Sequence, residues 1–183
     1  MLAGVPHVGH LAAMAAIEAA LGLPADPIRR LGALAVLIPE DAERLWQKLR
    51  LANVEHERLA SMGESWWRLA ASMKETDARV LLYRLGPECY RDRILLAWAR
   101  SGALANDAAW RNLATLPQRW MAPAFPLKAA DLMDRGLGKG PALGAALRAA
   151  EEAWIARGFP CDVSTISVIA DEAARSAANS TRG

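Results

Sequence analysis

The sequence predicts an all-α protein, and three features of its composition support this. Alanine and leucine occupy 64 of the 183 positions, whereas valine, isoleucine and threonine together occupy only 18. Because alanine and leucine favour helices and β-branched residues favour strands, this ratio excludes a β-sandwich or an open parallel sheet. Apolar residues make up 53% of the chain, which is enough for a packed core and excludes a disordered chain.

Prolines, glycines and capping residues divide the first hundred residues into helices. Asp26 followed by Pro27 is typical of a helix start, and Pro39 opens the next helix. Asn53 is the predicted cap of the helix after that, and Gly86 is the predicted stop between two later helices. The predicted helices are 8–21, 27–38, 39–49, 54–62, 65–73, 76–85 and 88–100.

The character of the chain changes at a proline-rich segment. Three prolines fall within 117–126, which predicts an extended connector because proline interrupts helices. The sequence therefore divides into a helical body over 1–116, the connector, and a smaller helical tail over 127–183. The later predicted helices are one capped by Asn106, then 128–134, 141–157, and a last one that Asp162 or Ser164 caps and that runs to residue 177.

The charges are nearly balanced in total but unevenly placed. The net charge is +2, and 18 of the 22 basic residues are arginine, whose planar guanidinium suits phosphate and carboxylate groups. Segment 79–148 has an excess of six positive charges, and 149–183 has an excess of two negative ones. The two distant cysteines, Cys89 and Cys161, predict reduced thiols in a cytoplasmic protein. No apolar run approaches the ~18 residues of a membrane span.

Residue patterns typical of an active site are scarce. The chain has no Gly-x-Ser-x-Gly, phosphate-binding loop, dinucleotide fingerprint, Cys-x-x-Cys or Asp-x-Asp motif. His7 and His10 are close enough in sequence to share a metal ion, but no acidic partner accompanies them. Core packing is the simplest explanation for most of the seven tryptophans. Trp67 and Trp120 are the expected exposed ones, on which a base could stack.

Segment 136–141, called the glycine corner below, carries the strongest local pattern. Gly136, Gly138 and Gly140 precede a proline that opens a helix. Glycines let a backbone approach a ligand closely, and a helix start presents free N–H groups. Such a corner can bind phosphate without reading base sequence, and Lys139 adds a cation beside it. The alternative is a tight turn between two packed helices.

Three further segments form a recognisable set. They are 82–99 (LYRLGPECYRDRILLAWA), 125–132 (FPLKAADL) and 140–155, which begins with GPALG and ends with WI. Together these segments resemble the C-terminal part of bacterial CCA-adding tRNA nucleotidyltransferases, which are often labelled poly(A) polymerases. A looser similarity extends over 26–157. The resemblance implies an all-helical body and tail that hold the acceptor stem and elbow of tRNA through its backbone.

The resemblance also implies which residues bind RNA and where the chemistry takes place. The candidate phosphate contacts are Arg84, Arg91, Arg93, Lys128, Lys139 and Arg148, with Gly138 and Gly140 packing against the RNA backbone. Nucleotidyl transfer with Mg²⁺ and CTP or ATP belongs to a catalytic head with an Asp pair. We expect this chain to be the C-terminal portion without that head, and therefore to hold no cofactor and no catalytic residue of its own.

One short motif near the start of the third predicted helix has two interpretations. Glu40-Asp41-x-x-Arg44 fits the spacing with which the family's neck pairs with the incoming nucleotide, but we interpret it as a capped helix start.

The competing hypothesis for the whole chain is a helical module for protein contacts or homodimer formation, without RNA binding. In that case the arginines form internal ion pairs, for which Glu88, Asp92 and Asp131 are available. A complete small metal enzyme using His7, His10 and Asp residues is a third, weaker hypothesis.

Overall fold

A computed structural model describes residues 8–180, which are all-α with no strand among them, as predicted. The chain divides between Ala122 and Pro123 into two compact units, called unit 1 and unit 2 below. Unit 1 contains α1 Val8–Ala20, α2 Pro27–Ala35, α3 Pro39–Leu49, α4 Asn53–Gly63, a 3₁₀ turn Trp66–Arg68, α5 Glu75–Ser101, α6 Ala108–Ala114 and α7 Leu116–Arg119. Unit 2 contains α8 Ala129–Met133, α9 Pro141–Ala156 and α10 Val163–Ser180.

Aspartate side chains cap three of these helices. Asp26 and Asp162 cap α2 and α10 as predicted, and the Oδ1 atom of each accepts a main-chain N–H group at 2.8 Å. The cap of α6 is Asp107 and not Asn106, because Oδ1 of Asp107 accepts two N–H groups of the first turn at 3.0 Å. A carboxylate suits this position better than an amide because the start of a helix carries a partial positive charge.

Two predictions in unit 1 were wrong in detail. Asn53 is the first residue of α4 and not its cap, because the Glu55 side chain accepts the N–H of Ala52 at 2.8 Å and satisfies that donor instead. The predicted helix 65–73 is reduced to the 3₁₀ turn. Ser65 adopts a left-handed φ of +49° there, which interrupts the helical backbone.

Helix α5 is interrupted at Gly86, as predicted. Gly86 has φ +73° and ψ 167°, a backbone conformation that glycine tolerates and other residues rarely adopt. Pro87 follows, at the start of a new helical segment, where its missing N–H leaves no hydrogen bond unmade. The segment after the break supplies the largest share of the unit 1 core through Tyr90, Ile94, Leu95, Leu96 and Trp98.

The predicted connector over 117–126 is displaced along the chain. Leu116–Arg119 forms the short helix α7, with Pro117 in its first turn, where a proline removes no helical hydrogen bond. Residues 120–128 then form no helix, and the two units divide within this stretch. The non-helical segment therefore begins three residues later and ends two residues later than the sequence predicts.

Close helix packing in unit 1 depends on Gly63 at the end of α4. A Cβ atom built at this position would lie 2.6 Å from the main-chain carbon of Ile38 and 2.7 Å from the nitrogen of Pro39. Both atoms belong to the backbone at the start of α3, so they cannot rotate away as a side chain could. The crossing of α3 and α4 therefore requires glycine.

The core of unit 2 is built around Trp154 on α9. Its ring lies between Phe125 and Phe159, with centroid distances of 5.4 and 5.0 Å, and its Nε1 atom donates to the carbonyl of Pro160 at 2.8 Å. Phe159 has a left-handed φ of +64°, and its ring is buried against the tryptophan. Burial of this aromatic ring offsets the backbone strain.

Candidate functional site

The glycine corner is open to solvent and adjoins the start of α9. Cβ atoms built at Gly136, Gly138 and Gly140 would meet no atom within 4 Å. Gly136 has φ +91° and Gly140 has φ +150°, so two of the three positions use conformations that favour glycine. The corner therefore leaves room for a ligand to approach the backbone.

The N-terminus of α9 offers fewer free donors than the sequence pattern indicates. Pro141 has no N–H, and the N–H groups of Leu143 and Gly144 both donate to the carbonyl of Gly140, at 3.1 and 3.5 Å. Within the first turn this leaves Ala142 as the remaining donor. Any anion at this corner would therefore be held mainly by side chains.

Three cationic side chains predicted as phosphate contacts are exposed in unit 2. Lys128 lies at the start of α8, Lys139 lies in the glycine corner, and Arg148 lies on α9. Within residues 123–180 the side chains of all three form no ion pair or hydrogen bond. These cations are available to an external partner.

Arg148 is directed along α9 towards the glycine corner. Its Nη1 atom lies 3.7 Å from the position that a Cβ atom on Gly144 would occupy, one turn nearer the start of the helix. Helical side chains point back towards the N-terminus, and a glycine at this distance leaves the guanidinium room to do so. The charge of Arg148 is thereby brought towards the same end of α9 as that of Lys139.

Two other arginines of unit 2, Arg135 and Arg157, form ion pairs within residues 123–180. Arg135 forms an ion pair with Asp171 at 2.6 Å and donates to the main-chain carbonyl of Asp131 at 2.7 Å. Arg157 forms an ion pair with Glu172 at 2.8 Å. Within residues 123–180, these ion pairs distinguish Arg135 and Arg157 from Lys128, Lys139 and Arg148.

The candidate contacts in unit 1 lie in different environments. Arg84 is exposed but interacts with another residue, and Arg91 is half-buried. Arg93 is buried, and it donates to Ser61 Oγ at 2.9 Å and to Glu64 Oε2 at 3.1 Å. The guanidinium of Arg93 therefore has internal partners in place of a phosphate.

A buried ion-pair network in unit 1 uses Asp92, one of the three acids that the competing hypothesis names as partners for arginines. Asp92, which is fully buried on α5, accepts from Arg29 Nε at 2.9 Å and from Arg58 Nε at 2.7 Å. Arg29 also donates to Glu18 at 2.7 Å, and Arg58 to Asp26 at 2.8 Å. The network links α1, α2, α4 and α5, so its role is to join helices.

The pKa values of Asp26 and Arg58 are shifted by this pairing. Burial alone would raise the pKa of Asp26, but the N–H of Arg29 and the guanidinium groups of Arg58 and Arg29 together lower it. Burial likewise opposes the charge of Arg58, and hydrogen bonds to Asp92 and Asp26 raise its pKa above the ordinary value. Asp92 had been named only as an available acid, because sequence cannot show which charges are buried.

Arg100 is a further arginine whose role is internal. Its guanidinium donates to the main-chain carbonyls of Gly32 and Val36 at the end of α2, and it stacks over Trp66 at 4.5 Å from the ring centroid. Burial lowers the pKa of Arg100 to about 10. A cation at the C-terminal end of a helix is stabilised by the partial negative charge there.

The structure confirms the interpretation of Glu40-Asp41-x-x-Arg44 as a capped helix start. Asp41 Oδ2 accepts the N–H groups of Leu37 and Ile38 at 2.9 and 3.1 Å. Its Oδ1 atom pairs with Arg44, so Arg44 contacts Asp41 and not Glu40. The carboxylate and the guanidinium of this motif are both used by α3 itself.

Within the described range 8–180, no three His, Cys, Asp or Glu side chains converge where they could hold a metal ion. His10 lies on α1, and His7 lies outside the described residues. None of the helices described here is both long and apolar enough to cross a membrane.

No protein-family model matches this chain, and no curated protein matches it.

Proposed function

We propose that this chain is the tRNA-binding C-terminal portion of a CCA-adding tRNA nucleotidyltransferase. The proposal rests on the resemblance of 82–99 and 125–155 to that family and on the placement of free cations in unit 2. In the intact enzyme the 3′ CCA end is added or repaired by a catalytic head, which supplies the site for Mg²⁺ and for CTP or ATP. No transfer step is assigned to the residues of this chain.

The observation that carries the proposal is the set of three exposed, unpaired cations in unit 2. Lys128, Lys139 and Arg148 have no acidic partner within 123–180, whereas Arg135 and Arg157 do. Phosphate contacts of this kind hold a nucleic acid by its backbone and carry no base sequence information. That is the recognition that a protein acting on every tRNA needs.

The test measures tRNA binding by a double variant, Lys139→Glu with Arg148→Glu. We expect affinity at low salt to fall by roughly tenfold or more, because hydrogen bonds to charged groups are lost and repulsion replaces them. The slope of log affinity against log salt should fall by about 1 for each lost phosphate contact. The melting temperature should not change, since neither side chain has an ion pair or hydrogen bond within residues 123–180 to lose.

Arg175→Glu is the matched control, because Arg175 is also an exposed arginine of unit 2 but lies on α10 and donates to the main-chain carbonyl of Asp171. It should retain most of the tRNA affinity. Equal affinity for double-stranded DNA and for tRNA would contradict the proposal. So would CMP or AMP addition to tRNA by this chain alone.

The second candidate function is a helical module for protein contacts or homodimer formation, without RNA binding. It is favoured by the internal use of Arg29, Arg58 and Arg93, which have carboxylate partners. Unchanged tRNA binding by the Lys139→Glu, Arg148→Glu double variant would support this second function. Sedimentation of the purified chain would then measure whether it dimerises.

A further inference from the structure

A cavity of about 340 Å³ lies at the corner between α3 and α4 in unit 1. It is lined by Trp46, Gln47, Arg50, Leu51 and Asn53, and we call it the Trp46 cavity. Its volume is in the range of small-molecule sites, and its lining combines one aromatic ring, one cation and two side-chain amides. None of these residues belongs to the proposed phosphate contacts of unit 2.

The indole of Trp46 is held in place from one side. The His56 ring stacks on it with centroids 4.9 Å apart and planes inclined by 24°. His56 is itself positioned by Glu43, whose Oε2 atom lies 3.3 Å from His56 Nε2. An aromatic ring that is already oriented is a suitable surface for a second planar group, because little side-chain freedom is lost on stacking.

Arg50 has a backbone conformation that glycine would adopt with less strain. It ends α3 with φ +52° and ψ +47°, the left-handed conformation that glycine usually supplies at helix ends. A residue with a side chain is strained there, and such strain is often found at binding sites. The Arg50 side chain is exposed and has no ion pair or hydrogen bond within residues 8–180.

The acidic side chains close to the cavity already have partners. Glu43 contacts His56 and accepts from Gln47 Nε2 at 2.6 Å, and Glu55 accepts the N–H of Ala52. No carboxylate among residues 8–180 forms an ion pair with Arg50. Asn53 is exposed, and its amide can donate and accept hydrogen bonds at the edge of a planar ligand.

We propose that the Trp46 cavity binds an unpaired nucleobase of an RNA strand. The base stacks on the Trp46 indole, the amides of Gln47 and Asn53 contact its edge, and Arg50 contacts the adjoining phosphate. This inference rests on the proposed RNA-binding function and deepens it. Unit 1 would hold an unstacked nucleotide, while the cations of unit 2 hold the phosphate backbone.

The experiment follows the indole N–H signals of the ¹⁵N-labelled chain while a single-stranded tetra-adenylate is added. The Trp46 signal is identified by its absence from the Trp46→Phe spectrum. We expect this signal to shift on addition of the oligonucleotide, because an adenine ring stacked on the indole changes its magnetic environment. The exposed Trp67 supplies an internal comparison and should shift less.

Arg50→Gly is the decisive variant. Because glycine adopts the left-handed conformation without strain, this change should maintain or raise the melting temperature while it removes the cation. We expect tetra-adenylate to bind roughly tenfold more weakly at low salt. Lys48→Ala is the matched control, since Lys48 is an exposed cation two residues away that does not line the cavity, and it should leave binding nearly unchanged.

The outcomes separate this inference from the proposed function. An unshifted Trp46 signal, or wild-type binding by Arg50→Gly, would overturn the inference even if tRNA binding still depended on Lys139 and Arg148. A shifted Trp46 signal with unchanged tRNA binding in the unit 2 double variant would instead overturn the proposed backbone contacts. Equal shifts with N-acetyltryptophanamide would show a general aromatic-binding pocket, as for a peptide side chain, and would also overturn the inference.

Discussion

The two units use their basic side chains in different ways. In unit 1, Arg29, Arg58 and Arg93 are almost excluded from solvent and donate to carboxylates. In unit 2, Lys139 and Arg148 are exposed and form no ion pair within 123–180. A buried charge is strongly destabilising without its partner, whereas an exposed charge contributes little to stability. Substitutions should therefore change stability in unit 1 and binding in unit 2.

This difference shows why counting charges along a sequence is a weak guide to a binding face. Segment 79–148 has an excess of six positive charges, yet several of its arginines are used internally. Arg111 donates to the carbonyl of Ala20 at 2.9 Å, and Arg119 forms an ion pair with Glu75 at 2.9 Å. The useful quantity is the number of cations without an internal partner, which requires the tertiary structure.

The largest expected effect is that of Asp92→Ala in unit 1. This change leaves Arg29 and Arg58 buried beside the vacated position, and removal of one partner from a buried network typically lowers the free energy of unfolding by about 3–5 kcal/mol. Urea unfolding followed by circular dichroism measures the loss. Asp134→Ala, an exposed aspartate in unit 2, is the control and should stay within about 0.5 kcal/mol of the parent chain.

The stability lost in Asp92→Ala tests whether the buried arginines of unit 1 have a structural role. A loss well below the expected range would mean that the two arginines find other acceptors and that the network is not a main contributor to stability. A second variant distinguishes pairing from packing. Asp92→Asn keeps the side-chain volume but removes the charge, so a loss close to that of Asp92→Ala would assign the stability to ion pairing, and a small loss would assign it to packing.

The next largest effect is expected from a pair of glycine substitutions. Gly63→Ala in unit 1 places a Cβ atom 2.6 Å from the backbone of Ile38, and overpacking of this kind costs about 1–3 kcal/mol. Gly138→Ala in the glycine corner meets no atom within 4 Å and should be nearly neutral for stability. Thermal unfolding of both variants makes the comparison. Equal destabilisation by the two would contradict the packing difference between α4 and the glycine corner.

The smallest expected effect concerns the pH dependence of the start of α10. Hydrogen bonds from the hydroxyl and N–H of Thr165 and from the Ser164 hydroxyl lower the pKa of Asp162 from 3.8 to about 2. A carboxyl group whose pKa is lowered on folding stabilises the folded state above its ordinary pKa, and this contribution is lost as the pH falls through the lowered value. The cap should therefore weaken only between about pH 4 and pH 2.

The measurement is the amide chemical shift of Thr165 as a function of pH. Its titration midpoint should be about 2, and Asp162→Asn should abolish that titration while retaining a capping side chain. A midpoint at the ordinary value of 3.8 would show that the cap does not hold the ionised carboxyl. Because the partners of Asp162 lie within the first turn of α10, the change should stay local, unlike that of Asp92→Ala.

Much of the local structure was predictable from the sequence. Pro27, Pro39 and Pro141 marked helix starts correctly because a proline in the first turn removes no hydrogen bond. Gly86 marked a real break for the complementary reason, a backbone conformation that favours glycine. The errors at Asn53 and Asn106 arose where a neighbouring carboxylate took the capping role.

The candidate site was predictable only in part. The exposed positions of Lys128, Lys139 and Arg148 agree with a role in external contacts, whereas Arg93 is buried with partners on another part of unit 1. The Trp46 cavity could not be found from the sequence, because Trp46 lies on an apolar stripe that indicates core packing. Its half-buried ring lines a cavity only because α4 returns beside α3.

The sequence by itself determined the all-α class and most helix boundaries. These features depend on helix propensity, proline and local caps, which act between residues close in the chain. Only the tertiary structure decided which charges are buried. Arg29 and Asp92 are 63 residues apart, and whether such a pair meets depends on how the helices pack. The same composition therefore supports a structural network in unit 1 and exposed cations in unit 2.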